Sequence, residues 1–376
     1  MSQSQTYFSQ GLVGSFVAVA LASIGVTAAG VPAWAAEEKV VNVFNWSDYI
    51  TDETLENFTR QTGIKINYDV YDSNEIVESK LLVGNSGFDV VFPSATPFFA
   101  RQVAAGVYRK LDRKLIPNAG GLDPKVMEQL KIADPKNEYG VPYMMAGTGV
   151  GFNVAMLKEK APDAPIGSLS MLFDPKVLEK TKDCGVTVLD APEELFPAAL
   201  AWLGKSPVST DAKDLDAARE VLKKARPYWR YIHSSTYIND LANGAICVAM
   251  GYAGDLVQSR DRAKEVNAGV EVSIFLPREG AAFNIDVMAI PADAPHPENA
   301  HAFINFILTP AVIGPITDAV GYANAVPEAD KHTDPEVLAD PAIKPAADVK
   351  LYTPALVSDA YESQRNRAWS LVKAGR

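Results

Sequence analysis

Reactive and metal-binding side chains are scarce in this chain, whose 376 residues include two cysteines and four histidines. His233, His296, His301 and His332 are scattered. His296 and His301 flank a presumed helix start, but no H-E-x-x-H pair occurs and no metal site is expected. The G-x-S-x-G nucleophile elbow is missing. The glycines of Gly147-Thr148-Gly149-Val150-Gly151 lack the spacing of a phosphate or dinucleotide loop. These gaps argue against enzyme chemistry and against a cofactor. Cys184 and Cys247 form no C-x-x-C pair, which removes dithiol redox catalysis and leaves one disulfide or two buried thiols.

Charge is absent from the amino terminus: residues 1–35 contain no Lys, Arg, Asp or Glu. Polar Met1–Gln10 and apolar Gly11–Val31 lead to Ala33-Trp34-Ala35, an A-x-A signature, just before Ala36-Glu37-Glu38. This is the layout of a secretory signal peptide, although its first region carries no basic side chain. An uncleaved anchor is the competing reading, and the Gly and Ala content together with the A-x-A site favours cleavage. No cysteine lies near the cut to accept a lipid, so the mature chain is expected free in a Gram-negative periplasm. No other segment reaches membrane-spanning length. The mature part keeps the whole net charge of −11, which argues against nucleic acid and anionic membranes and is compatible with a cationic ligand. A hydrophobic share of 48% over such a length suffices for two cores.

What is present begins with the apolar run Val40-Val41-Asn42-Val43-Phe44, read as a buried strand, followed by Asn45-Trp46-Ser47-Asp48-Tyr49. Two rings and a carboxylate thus sit at a strand's carboxyl end, where open α/β sheets present ligand groups. Such rings attract cations and the carboxylate pairs with them, although a capping Asp and core aromatics would read the same way. Thr51 and the acids after it start a helix that Gly63 stops. Residues 64–70 alternate as a strand, 73–84 return to helical spacing, Asp89–Pro93 is a short strand, and Pro97–Ala105 is helical. This βαβαβ succession predicts a parallel sheet flanked by helices. Tyr139–Tyr143 and residues 147–153 read as short extended segments crossing between two bodies. A second α/β unit follows with a strand at Cys184–Leu189, helices near Glu193 and over Ala212–Arg226, and a strand at Ile246–Met250. Strands at Val270–Leu276 and Ile285–Ile290 and a helical region from Pro297 complete the chain.

Acids beside rings or glycines recur at element ends: Asp190-Ala191-Pro192-Glu193-Glu194, Gly251-Tyr252-Ala253-Gly254-Asp255, and Asp286 in Phe283-Asn284-Ile285-Asp286. Asp286 stands in or just ahead of an apolar strand, where an unpaired acid is expensive. Gly321-Tyr322-Ala323-Asn324 adds another ring.

These segments, with Phe92-Pro93-Ser94, Tyr237-Ile238-Asn239-Asp240-Leu241-Ala242-Asn243-Gly244 and Tyr322-Ala323-Asn324-Ala325, resemble the periplasmic polyamine-binding proteins of ABC importers, the putrescine-binding component most of all. The match is collinear over the mature chain. It implies an α/β, two-lobed type II periplasmic-binding fold, each lobe a mixed, mostly parallel sheet flanked by helices. The expected division is 38–141 with 258–314 against 142–257 with 315–376, and the ligand cleft lies between. The resemblance further implies a monomer that binds a polyamine and delivers it to an inner-membrane ABC permease, with no catalysis. A diamine such as putrescine is expected ahead of spermidine or another cationic amine. An exported hydrolase acting on amine conjugates is the competing class. Carried over position by position, Trp46, Tyr49, Tyr252 and Tyr322 are rings against the ligand, and Ser47, Asp48 and Ser94 line one wall. Glu194 meets one amine, and Asp255 and Asp286 hold the other end. Cys184 and Cys247 match the family's disulfide. Tyr252 replaces a Trp of the putrescine binder, Asn284 replaces an aromatic ring, and Thr96 and Pro97 also differ.

Overall fold

The structure is a computed structural model that describes residues 37–267, 269–345 and 349–376; the expected signal segment lies outside the described residues. Strand β1 (Val40–Trp46) buries Val41, Val43 and Phe44. The next helix, Asp52–Thr62, starts where Thr51 accepts a hydrogen bond from the Thr54 N–H, and it ends at Gly63 with a left-handed φ of 72°. Strands β2 (Lys65–Tyr71) and β3 (Val90–Val91) both pair in parallel with β1, so the βαβαβ unit forms around it.

The long crossing element is β4 (Gly140–Asn153). Two short segments were expected there; one continuous strand of 14 residues is found. It stays extended because partners line it along its whole length. The second unit supplies β5 (Val186–Val188), β6 (Trp229–Ile232), β7 (Val248–Tyr252) and β8 (Val272–Phe275), and β9 (Ala281–Ala289) returns to the first. Gly140–Gly147 of β4 pairs antiparallel with β9, whereas Thr148–Asn153 pairs antiparallel with β7 and β8. The strand order is β2-β1-β3-β9-β4-β7-β5-β6, and β5 is parallel to both β6 and β7. Two short pairings complete the sheet: β10 (Ala323–Asn324) on β4 and β11 (Leu351–Tyr352) on β9.

Two apolar cores lie on either side of the crossing. The first gathers β1–β3, the start of β4, Ile285–Ile290, and the helices Pro297–Ile307 and Pro310–Val320, and extends to Ala329. The second runs from Val150 through Ala263 and Val272 and takes in the carboxyl-terminal helix Asp359–Lys373 through Tyr361, Trp369 and Val372. Ile316, Val320 and Tyr322 therefore pack with the first core, although the expected division placed residues 315–376 in the other lobe. The cause is local: only Leu308 and Thr309 separate the two helices, which pack on the same side. Cys184 and Cys247 are bridged inside the second core with their Cα atoms 5.5 Å apart. His296 and His301 face separate partners. His296 Nδ1 lies 3.0 Å from Asp89, and His301 Nε2 accepts from the Asp112 N–H.

Candidate functional site

Parallel strands in both units point their carboxyl ends at one place, which is where an open α/β sheet binds ligands. A small cavity of about 50 Å³ lies there, lined by residues from both units. From the end of β1 and the turn after it come Trp46, Ser47 and Tyr49, from the end of β2 and just beyond it Tyr71 and Asp72, and from the loop after β3 Ser94. From the second unit come Ser234 and Ser235 after β6, Ile238, and Tyr252 and Asp255 at the end of β7. Asn284 and Asp286 come from the middle of β9, and Tyr322 follows the helix Pro310–Val320.

Trp46, Tyr49, Tyr71 and Tyr322 are each held by a bond at the polar end. Trp46 Nε1 donates to the Phe92 carbonyl at 2.7 Å, and Tyr71 Oη donates to the same oxygen at 2.6 Å. Tyr49 stands edge-on to Tyr322, their ring centres 5.0 Å apart. Tyr143 braces Tyr49 from behind by donating to its carbonyl. Trp46 and Tyr252 face each other across the cavity at 6.5 Å.

Besides Asp72, two more deeply buried carboxylates line the cavity. Asp286 is buried, and its oxygens accept from Tyr49 Oη and Ser94 Oγ, each at 2.7 Å. Asp255 accepts from Tyr237 Oη and Tyr322 Oη, also at 2.7 Å. Neither forms an ion pair with a Lys or Arg among the described residues. Burial pushes Asp286 up to about 6, even though the Ser94 and Tyr49 hydroxyls stabilise its charge. Desolvation likewise pushes Asp255 up to about 6, against the pull of Tyr237 and Tyr322. Buried acids without an ion-pair partner among the described residues, in a ring-lined cavity, suit a cation.

Nine of the eleven residues expected at the site line this cavity: Trp46, Ser47, Tyr49, Ser94, Tyr252, Asp255, Asn284, Asp286 and Tyr322. Asp48 does not. It is exposed, adopts φ 54°, and its carboxylate is paired with Arg262 at 2.9 Å. The turn after Ser47 aims it outward, toward a helix of the second unit. Glu194 stands one layer behind the wall, accepting from Thr148 Oγ1 at 2.7 Å and Asn284 Nδ2 at 2.8 Å. Its pKa is raised by burial, and those two donors pull it back. Asp190 is engaged elsewhere, accepting from Trp369 Nε1 and Lys373 Nζ. Sequence reasoning missed Tyr71, Asp72, Ser234, Ser235 and Ile238. The rule that singled out Trp46 would have found the first four, because they too follow strands whose carboxyl ends face the cleft.

Two α/β units thus meet at a ring-lined, acidic cleft at their strand ends, the arrangement of a solute receptor. The chain belongs to the bacterial extracellular solute-binding proteins, whose family model matches residues 53–345. It is 48% identical to the putrescine-binding periplasmic protein PotF of Escherichia coli (strain K12), over 91% of this chain and 93% of that one. It is 46% identical to the putrescine-binding periplasmic protein SpuD of Pseudomonas aeruginosa (strain UCBPP-PA14), over 92% and 94% respectively. Among solved structures, the TpPotD lipoprotein of Treponema pallidum superposes with a TM-score of 0.74 at 26% identity, over 89% of this chain and 99% of that one. The architecture is the two-lobed α/β fold of the type II periplasmic binding proteins.

Proposed function

We propose that this protein is a periplasmic receptor that captures a small polyamine, a diamine of the putrescine kind, between its lobes and hands it to an ABC importer. The observation that carries the reading is Asp255 and Asp286: two carboxylates at one cavity, each held by two hydroxyls, neither ion-paired with a Lys or Arg among the described residues. A diamine is a dication at neutral pH, because its amines titrate near the lysine value of about 10.4. Its ammonium groups offset the buried acids, and its methylenes lie against Trp46, Tyr49, Tyr252 and Tyr322. The names of the two close relatives support the same ligand class and the same compartment.

Lobe division in this reading follows the two cores, with β4 and the segment joining β8 to β9 among the crossings. Groups from both lobes line the cavity, so a ligand touching all of them favours the closed arrangement. Residues 1–35 serve as the export signal, and the mature chain acts as a monomer. The test is titration calorimetry of refolded, ligand-stripped protein with putrescine, cadaverine, spermidine and agmatine. Putrescine is expected to bind most tightly; heat from none of the four would refute the reading.

A further inference from the structure

Beside Asp286 on the cavity wall stands a buried acceptor with no hydrogen-bond partner among the described residues, an amide oxygen. Both oxygens of Glu194 are already engaged, by Thr148 and by Asn284 Nδ2, and Glu194 lies outside the cavity lining. Asn284 is on the lining and 7% exposed. Next to a carboxylate, an amide turns its N–H toward the charge, since its oxygen would be repelled. That orientation leaves Asn284 Oδ1, a buried oxygen with no hydrogen-bond partner among the described residues. Burying an acceptor unpaired costs stability, and a ligand N–H would remove that cost.

Spacing supports the same role. Asn284 and Asp286 are two residues apart on β9, so they share one face, about 7 Å apart along the strand. That is close to the span between the nitrogens of an extended short diamine. We infer that Asn284 Oδ1, and not Glu194, receives the far end of the ligand, so the site accepts short linear amines whose second end is any N–H donor, charged or neutral. The inference rests on reading the cleft as an amine site. Its two ends are unlike. Asp286 demands a cation, whereas a carbonyl oxygen accepts from an ammonium or from a primary amide. Glu194, one side chain back, adds a preference for positive charge without requiring it. An aromatic ring at this position would offer a π face for a cation and no such acceptor.

Three ligands that share the amine end and differ at the far end decide the matter: putrescine, 4-aminobutanamide and 1-aminobutane, titrated calorimetrically into the ligand-stripped protein. 4-Aminobutanamide is expected to bind at least about 10-fold more tightly than 1-aminobutane, the gain of one buried hydrogen bond. In Asn284→Leu that ratio should collapse to within about 2-fold. Asn284→Phe, which restores a ring, should show the same collapse while still binding putrescine, and it serves if the Leu variant misfolds. Equal affinity for 4-aminobutanamide and 1-aminobutane in the wild type overturns the inference, as does a ratio that survives both substitutions. In those cases putrescine still binds and the amine reading stands. Failure of all three ligands in the wild type removes both.

Discussion

Gly254 has no side chain because the ring of Tyr322 occupies that space: a methyl group added there would overlap the ring atoms. The contact places Tyr322 Oη 2.7 Å from Asp255, the residue directly after Gly254. Gly251 makes the same allowance for Tyr237, whose hydroxyl is the other donor to Asp255. The Gly-Tyr-Ala-Gly-Asp segment thus carries an acid and the room for both of its donors.

Gly254→Ala should therefore weaken diamine binding by displacing Tyr322 from Asp255. Loss of one hydrogen bond to a charged group corresponds to about 10-fold in affinity or more. Calorimetric titration of putrescine measures it. Gly204, whose added Cβ meets nothing within 4 Å, marks a control site, although its φ of 69° makes any substitution there strained in its own right. Gly120→Ala, with open space and no such backbone demand, is the cleaner comparison and should bind like the wild type.

Asp286→Asn should cost about 100-fold or more in putrescine affinity, since a buried ammonium would lose its counter-charge. The melting temperature of the ligand-free protein should hold or rise, because burial already penalises the charged form of Asp286. A large fall in that temperature would mark Asp286 as a structural residue.

Binding should weaken in acid. Asp255 and Asp286 titrate near 6 in the free protein, so at pH 5 both are largely protonated and a dication must displace those protons. Each carboxylate costs about 10-fold in affinity between pH 7.5 and pH 5, up to about 100-fold for the two. Folding follows the opposite sign from ordinary paired carboxylates. Their folded pKa values lie above the unfolded value of 3.8, so the native state holds more protons in between. Their contribution to stability is fully present below about 4 and is lost as pH rises through about 6. The rise in melting temperature on adding putrescine should accordingly be larger at pH 7.5 than at pH 5, as scanning calorimetry would show.

Replacing both Cys184 and Cys247 by serine should destabilise the protein without altering the site. The bridge closes a loop with a sequence separation of 63, for which chain entropy gives about 4 kcal/mol as an upper figure. Denaturant melts should shift to a lower midpoint, while putrescine affinity below the transition stays within about 2-fold, because both sulfurs lie in the second core and neither lines the cavity.

Much of the fold was legible because its signals are local. Thr51 and Gly63 bracket the first helix as their cap and left-handed roles require, and the burial of Val41, Val43 and Phe44 follows the apolar run. The crossing strand was less legible, since Gly147, Gly149 and Gly151 look like a loop until β7, β8 and β9 are laid beside them. Which core takes up Ile316, Val320, Tyr322 and Val326 was not legible at all. Their apolar spacing says that they are buried and not which core buries them.

Chain order alone determined the kind of groups at the site: rings and carboxylates at strand ends, and an acidic chain that suits a cation. Tertiary structure decided which of those groups meet. Asp48 and Asp286 are equally suggestive as letters, yet one turns out to Arg262 while the other is buried under Tyr49 and Ser94. Glu194 and Asn284 lie 90 positions apart, and only the pairing of β4 with β9 beside the helix Pro192–Trp202 puts the amide between the acid and the cavity. The reason is physical: residue type fixes what a group can bind, but direction and burial come from contacts between distant segments.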